Sequence, residues 1–200
     1  MTASMWDQRF GGDAYVYGTE PNAFLARQAH RLTPGGAVLV PGDGEGRNGV
    51  WLAGQGMRVL SVDASGVGLA KARRLAAQRG VAIATQVADL LAWPWPIGSF
   101  DAVVSLFLHF PPSDRALVHA RMAGALRTGG LIVLEAFRPR QLDYASGGPK
   151  DPLLLFSAAQ LAGDFADMDI LLLEEVLVDL EEGELHHGPG ATVRLVAQKR

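Results

Sequence analysis

Residues 38–51, "VLVPGDGEGRNGVW", decide the fold of this 200-residue chain. A short apolar run leads into three glycines at alternate positions, Gly42, Gly44 and Gly46, and a helical pattern follows. Glycine tolerates unusual backbone angles and close approach, and a helix start presents unpaired N–H groups, so a strand–glycine loop–helix unit is suited to ligand binding. The spacing tests which ligand. A triphosphate loop requires G-x-x-x-x-G-K-[ST], and Gly44 and Gly49 have that separation. Val50 and Trp51 stand where Lys and Ser/Thr must be, so that class is excluded. The dinucleotide fingerprint G-x-G-x-x-G fits Gly42 and Gly44 but meets Arg47 at its third glycine. No tyrosine (15, 17 or 144) has a lysine four residues on, as a short-chain reductase would require. The loop is G-x-G-x-G.

Outward from the loop, short β-rich runs alternate with helical ones, the pattern of a parallel sheet covered by helices. The expected strands are 37–41, 58–63, 82–88, 100–108 and 131–137. A short helix in 47–56 is stopped by Gly54 and Gly56, a second spans 66–80, and a third spans 113–127 with Ser113 as N-cap and "TGG" as its stop. Residues 138–152 read as a long polar loop, a length often associated with functional covers. Ser157 and Gln160 have capping-box spacing. "DILLLEEVLVDLEEG" and "ATVRLVAQK" close the chain as a hairpin joined through residues 181–190. No internal repeat or second domain is visible.

Composition excludes several functions. With 48% hydrophobic residues the chain builds a sizeable core, and no run approaches a membrane span or a secretory signal. The complete lack of cysteine removes disulfides, thiolate metal sites and cysteine nucleophiles, and fits a reducing cytoplasm. A net charge of −3 without a basic stripe disfavours a nucleic-acid partner; "KARRLAAQR" at 71–79 reads as the wet face of a helix. His186-His187 has no third ligand at metal spacing, so no metal is expected.

Downstream of the loop, "SVDAS" ends in Asp63, twenty-one residues after Gly42, where a carboxylate can accept from both hydroxyls of a ribose; its other reading is a helix N-cap. "QVADLLAWPWPIGSFDAVVS" (86–105) and "LRTGGLIVLEAF" (126–137) follow in order. With the glycine loop, these segments resemble class I S-adenosylmethionine-dependent methyltransferases over residues 37–137. A finer resemblance is to small bacterial enzymes of the tellurite-resistance and thiopurine-methyltransferase type. It rests on "GEGRN" (44–48), "YVYGTEPNAFL" (15–25), "HFPPSDR" (109–115), and "LEAFRPRQL" followed by "GGP" (134–149).

The resemblance implies a Rossmann-like α/β fold, a mostly parallel seven-stranded sheet of order 3-2-1-4-5-7-6 with its last strand antiparallel. One domain is expected over 1–200: an N-terminal lid (1–36), a cofactor-binding core (37–137), and a loop, helix and hairpin (138–200). Implied is methyl transfer from S-adenosylmethionine to a small-molecule acceptor by in-line displacement, leaving S-adenosylhomocysteine, in a cytoplasmic monomer or homodimer without membrane or nucleic-acid partner. Asp63 with Ala64 would hold ribose, and Asp89 with Ala88 and Leu90 adenine. The Gly42–Gly46 backbone, with Asp43 and Arg47, would hold the methionine portion, and Ser105 and Leu106 would border it. A nicotinamide-dependent reductase and a cofactor-binding regulator without turnover are the competing readings.

One departure stands out. The family usually carries an acid two residues before the first glycine, where this chain has Val40 followed by Pro41. Asp43 and Glu45 lie inside the loop instead, and one of them is expected to take over the electrostatic role beside the cofactor's ammonium or sulfonium. The alternative is that both face solvent or the helix start. On the acceptor side, Tyr15 and Tyr17 are expected to place π faces near the cationic sulfonium, with Trp6 and Phe10 in the same lid. His109 either orients or deprotonates the acceptor or is a structural histidine; Phe137 and Arg138 are further pocket candidates, Arg138 alternatively forming a surface ion pair. "HFPPS" has the wrong order for the [DNS]-P-P-[YFW] motif of amino-group methyltransferases.

Overall fold

The computed structural model describes residues 3–200, so the first two residues of the expected N-terminal segment lie outside the described ones. The elements are α1 (Ala3–Phe10), α2 (Ala23–Gln28), β1 (Ala37–Pro41), α3 (Arg47–Gly54), β2 (Arg58–Asp63), α4 (Gly66–Gln78) and β3 (Ala84–Val87). They continue with β4 (Phe100–Leu106), α5 (Pro112–Ala125), β5 (Leu126–Phe137), α6 (Ala158–Asp164), β6 (Met168–Glu181) and β7 (His187–Lys199). The sheet order is β3-β2-β1-β4-β5-β7-β6, with β7 antiparallel to both neighbours. That is the seven-stranded arrangement expected from the resemblance. Among the described residues no helix is long and apolar enough to cross a membrane.

The sheet buries apolar side chains on both faces, as strands covered by helices must. Leu39, Val103, Ile132 and Leu134 belong to one core cluster with Val118 and Met122 of α5. Val38, Val40, Val104 and Val133 belong to the other with Phe24 and Leu25 of α2. The helix α4 shows the underlying pattern: Leu69, Ala72, Leu75 and Ala76 are buried while Arg73 and Arg74 are exposed. Val40 is therefore a core residue of β1, which accounts for an apolar side chain at the position where an acid was expected.

Several boundaries differ from expectation. Strand β3 is shorter, Ala84–Val87. Helix α5 starts at Pro112, with Pro111 as N-cap and no side-chain cap, so Ser113 lies inside the first turn. The two prolines explain this, because proline at a helix start gives up only an N–H that would be unpaired there. "TGG" does not stop the helix; α5 ends at Ala125, and residues 127–130 bulge from β5, whose pairing jumps from Phe100–Leu126 to Ala102–Leu131. The hairpin turn is also shorter than expected, because β7 begins at His187 and pairs it with Glu181. Within "KARRLAAQR", Lys71 is buried rather than part of the wet face, since Phe10, Gly12 and Ala14 direct their carbonyls at its ammonium.

Candidate active site

Strand β1 pairs with β2 on one side and β4 on the other, so the chain reverses direction across the sheet there. Open α/β sheets bind ligands at the carboxyl ends of strands around such a point. A cavity of about 870 Å³ lies there. Its floor includes Gly42, Gly44, Asp63, Leu106 and Asp89, and its roof includes Trp6, Phe10 and Tyr17 from the N-terminal segment. The volume falls within the range of small-molecule and cofactor sites.

The glycine loop is shaped from within. Asp63 Oδ2 accepts the Gly44 N–H at 2.9 Å, Gly42 donates to the Val62 carbonyl at 2.7 Å, and Gly46 donates to the Asp43 carbonyl at 2.9 Å. All three glycine amides are thus consumed by protein acceptors. A pyrophosphate would need such amides free, whereas a nucleoside–amino acid ligand needs mainly the space above the loop. Gly46 has φ 86°, and a methyl group on it would meet Ala72 Cβ at 2.4 Å, so glycine is what lets the loop lie against α4. Gly44 lies under Phe10, whose Cζ would be 3.1 Å from an added Cβ.

The two acids within the loop are structural braces. Asp43 accepts from Ser61 Oγ at 2.5 Å and from the Gly49 N–H at 3.2 Å, and burial pushes its carboxyl up to about 7. Glu45 pairs with Lys71 and accepts the Val16 N–H at 2.8 Å. Neither acid is exposed, and both line the cavity. Lys71 and Glu45 together strap segment 10–16 across the loop, Lys71 Nζ donating to the carbonyls of Phe10, Gly12 and Ala14 at 3.3, 2.9 and 2.6 Å.

The remaining candidates divide clearly. Ala64, Asp89, Leu90, Arg47, Leu106, Tyr17, His109 and Phe137 line the cavity. Asp63 lines it too, but caps no helix; that role falls to Ser65, which accepts from Gly68 N at 3.0 Å. Burial raises the Asp63 carboxyl above its ordinary value. Ala88 and Ser105 are not among the lining residues; Ala88 donates its N–H to the Asp63 carbonyl, and Ser105 is buried in β4 opposite Leu134. Tyr15 turns away, its hydroxyl donating to the Lys71 carbonyl and its ring facing the Lys71 ammonium at 5.1 Å, so it is not a pocket residue. Arg138 pairs with Glu175 at 3.2 Å outside the cavity, which is its surface-pair reading.

His109 is buried and fully engaged. Its Nδ1 lies 2.7 Å from the Leu154 carbonyl, which only accepts, so Nδ1 carries the proton; Nε2 then accepts the Phe137 N–H at 3.4 Å. Burial pulls its pKa down to about 4. Both ring nitrogens lie against backbone partners, the arrangement that its structural reading requires, and the ring also lines the cavity.

Four residues escaped sequence reasoning. His186 lines the cavity, 4.6 Å from the Tyr17 ring, 4.7 Å from Phe107 and 5.2 Å from Phe137 (centroid separations). Phe107 holds a positive φ of 52°, costly for a bulky residue, and packs its ring tilted against Phe137, centroids 4.6 Å apart. Glu182 and Asn22 are buried behind them. Only the doubled histidine gave a sequence signal, read as a hairpin turn near the pocket rim rather than as a metal site.

Residues 38–130 match the model of a methyltransferase domain family. No curated protein matches the chain. Among solved structures it resembles one describing the conversion of a disulfide bond into a thioacetal group during echinomycin biosynthesis, at 22% identity and TM-score 0.78, over 98% of this chain and 92% of that one. It also resembles TehB from Haemophilus influenzae (18%, TM-score 0.73, 99% and 67%) and an S-adenosylmethionine-dependent methyltransferase from Anabaena variabilis (18%, TM-score 0.71, 99% and 93%). Sheet order, glycine loop and family match agree on the class: the chain matches the methyltransferase domain family over residues 38–130, and its sheet has the strand order expected of the class I S-adenosylmethionine-dependent methyltransferases. Its activity is methyl transfer.

Proposed function

We propose that the cavity takes S-adenosylmethionine over the glycine loop and a small, largely apolar acceptor against Phe107, Phe137 and His186. The observation that carries this reading is the Asp63 carboxylate on the cavity wall beside a loop whose three glycine amides are already bonded. Asp63 holds the ribose hydroxyls, and Asp89 with the Leu90 backbone holds adenine. The donor set fits: a carboxylate at the β2 tip, a second acid after β3, and a loop kept low by Gly46. When bound, the cofactor supplies a methyl group activated by its sulfonium.

The protein's contribution is alignment and exclusion of water. Proximity of this kind supplies a large part of the acceleration when no proton has to move. Tyr17 and Phe10 roof the site, the strap held by Lys71 and Glu45 keeps them down, and His109 braces Phe137 and Leu154 rather than acting as a base. The lack of cysteine supports a cytoplasmic setting, with the enzyme working as a monomer or homodimer.

Calorimetry with S-adenosylhomocysteine and with NADH tests the cofactor assignment. Binding of the former alone is expected; binding of NADH alone overturns it. Transfer of labelled methyl from S-adenosylmethionine across a panel of small thiols, amines and phenols then tests the acceptor class. Retained cofactor binding with transfer to macromolecules only would overturn the small-molecule reading.

A further inference from the structure

Behind the cavity lies a buried polar network that reaches the glycine loop through Arg47. Glu182, in the β6–β7 turn, accepts from three segments at once. Its Oε2 receives Arg47 Nη2 at 2.7 Å and lies 3.3 Å from His186 Nδ1; its Oε1 receives Asn22 Nδ2 at 2.9 Å. Arg47 opens α3 immediately after the glycine loop, Asn22 caps α2 after the N-terminal strap, and His186 belongs to the aromatic wall. Asn22 also donates to Glu135 Oε2 at 2.6 Å, and Glu135 takes Thr192 Oγ1 and Arg194 Nε at 2.9 and 2.7 Å.

The two carboxylates share Asn22 but differ in reach. Glu182 touches two cavity-lining residues, Arg47 and His186; Glu135, through Asn22, Thr192 and Arg194, touches none. Burial alone would raise the Glu182 carboxyl, but His186 and Arg47 outweigh it and hold it below its ordinary value, so the acid is ionised at neutral pH. Arg47 is itself buried, and among the described residues Glu182 is the only acceptor that bonds its guanidinium side chain. A buried guanidinium with one fixed edge keeps its remaining donors aimed in one direction, which a free, flexible arginine does not.

We propose that Glu182 is a positioning residue: it fixes the Arg47 guanidinium against the glycine loop, so that affinity for the cofactor is set by a side chain in the hairpin at the far end of the chain. The same carboxylate anchors Asn22 and His186, which places the glycine loop, the N-terminal segment and the acceptor wall on one charge. This rests on the assignment of the cavity to S-adenosylmethionine.

The experiment is calorimetric titration of S-adenosylhomocysteine into the wild type and E182Q, T192V, R47M and the E182Q/R47M double variant. E182Q keeps the shape but removes the charge, and is expected to weaken binding roughly tenfold, the scale of one charged hydrogen bond. T192V removes a bond from the same network away from the cavity and is expected to leave affinity unchanged. Because Glu182 acts through Arg47, the double variant is expected to bind no more weakly than R47M alone. Unchanged affinity in E182Q, an equal loss in T192V, or losses that multiply in the double variant would each overturn the proposal. Should E182Q not fold, E182D, which keeps the charge but withdraws it from Arg47, takes its place with the same expected loss. A wild type that binds no S-adenosylhomocysteine would instead remove the cofactor assignment itself.

Discussion

The Asp63 carboxylate and the Gly44 amide are joined by a 2.9 Å hydrogen bond across the mouth of the glycine loop, and the second Asp63 oxygen takes the Ser65 N–H at 2.8 Å. Asp63 therefore shapes the loop with the same two oxygens that are proposed to take the ribose hydroxyls. Asp63→Ala removes both, and the expected loss of S-adenosylhomocysteine affinity is roughly ten- to a hundredfold, from charged hydrogen bonds of about 1.5–3 kcal/mol each. Calorimetry showing unchanged affinity would count against the assignment of Asp63 to the ligand.

Asp43 makes a prediction about stability rather than binding. Its carboxyl, ordinarily at 3.8, is pushed up to about 7 by burial, which the bonds from Ser61 and Gly49 only partly offset. The native state therefore holds a proton between pH 4 and 7 that the unfolded chain has released, and stability falls as pH rises through that window. Three units correspond to about 4 kcal/mol. Asp43→Asn abolishes this term, so its stability relative to wild type should improve from pH 4 to pH 7 and level off above. Denaturant unfolding at a series of pH values measures it; a constant difference would show that Asp43 remains ionised throughout.

The two loop acids also show where sequence reading stops. The alternation of strands and helices along the chain, the glycine loop and the carboxylate at the tip of β2 are local in sequence and legible from adjacent residues, whereas the sheet order came with the family resemblance. Which way Asp43 and Glu45 turn is decided by Ser61 and Lys71, 18 and 26 residues away. Glu182 and Arg47 are 135 residues apart, and nothing in either segment announces the other. His109 follows β4 and lines the cavity, and its Nδ1 partner, the Leu154 carbonyl, is 45 residues on. Chemistry that depends on one element is readable; chemistry that depends on tertiary closure is not.

The tyrosines of "YVYG" separate under mutation. Tyr17 lines the cavity and lies 4.6 Å from the His186 ring, while Tyr15 packs beside Val50, Leu75 and Ala76 and bonds the Lys71 carbonyl. Tyr17→Ala is expected to weaken S-adenosylhomocysteine binding several-fold with a small change in stability. Tyr15→Ala is expected to cost about 1–3 kcal/mol of stability, a truncated partly buried aromatic, with affinity of the folded protein unchanged. Thermal melts and calorimetry on the same samples check both; the reverse pattern would put Tyr15 in the site.

His109 gives the opposite pH sign to Asp43. Its folded pKa is pulled down to about 4 from an ordinary 6.5, chiefly by burial, so between those values the unfolded chain binds the extra proton. Stability from this group is fully present above pH 6.5 and is lost as pH falls toward 4, by about 3 kcal/mol at most. His109→Gln, which does not titrate, should lose stability at neutral pH through weaker bonds to Leu154 and Phe137, and the gap to wild type should close as the solution is acidified. Methyl transfer by the wild type should show no rate limb attributable to His109 between pH 6 and 8, because both its nitrogens are committed to backbone. A limb near pH 6.5 that disappears in His109→Gln would restore the histidine to proton transfer.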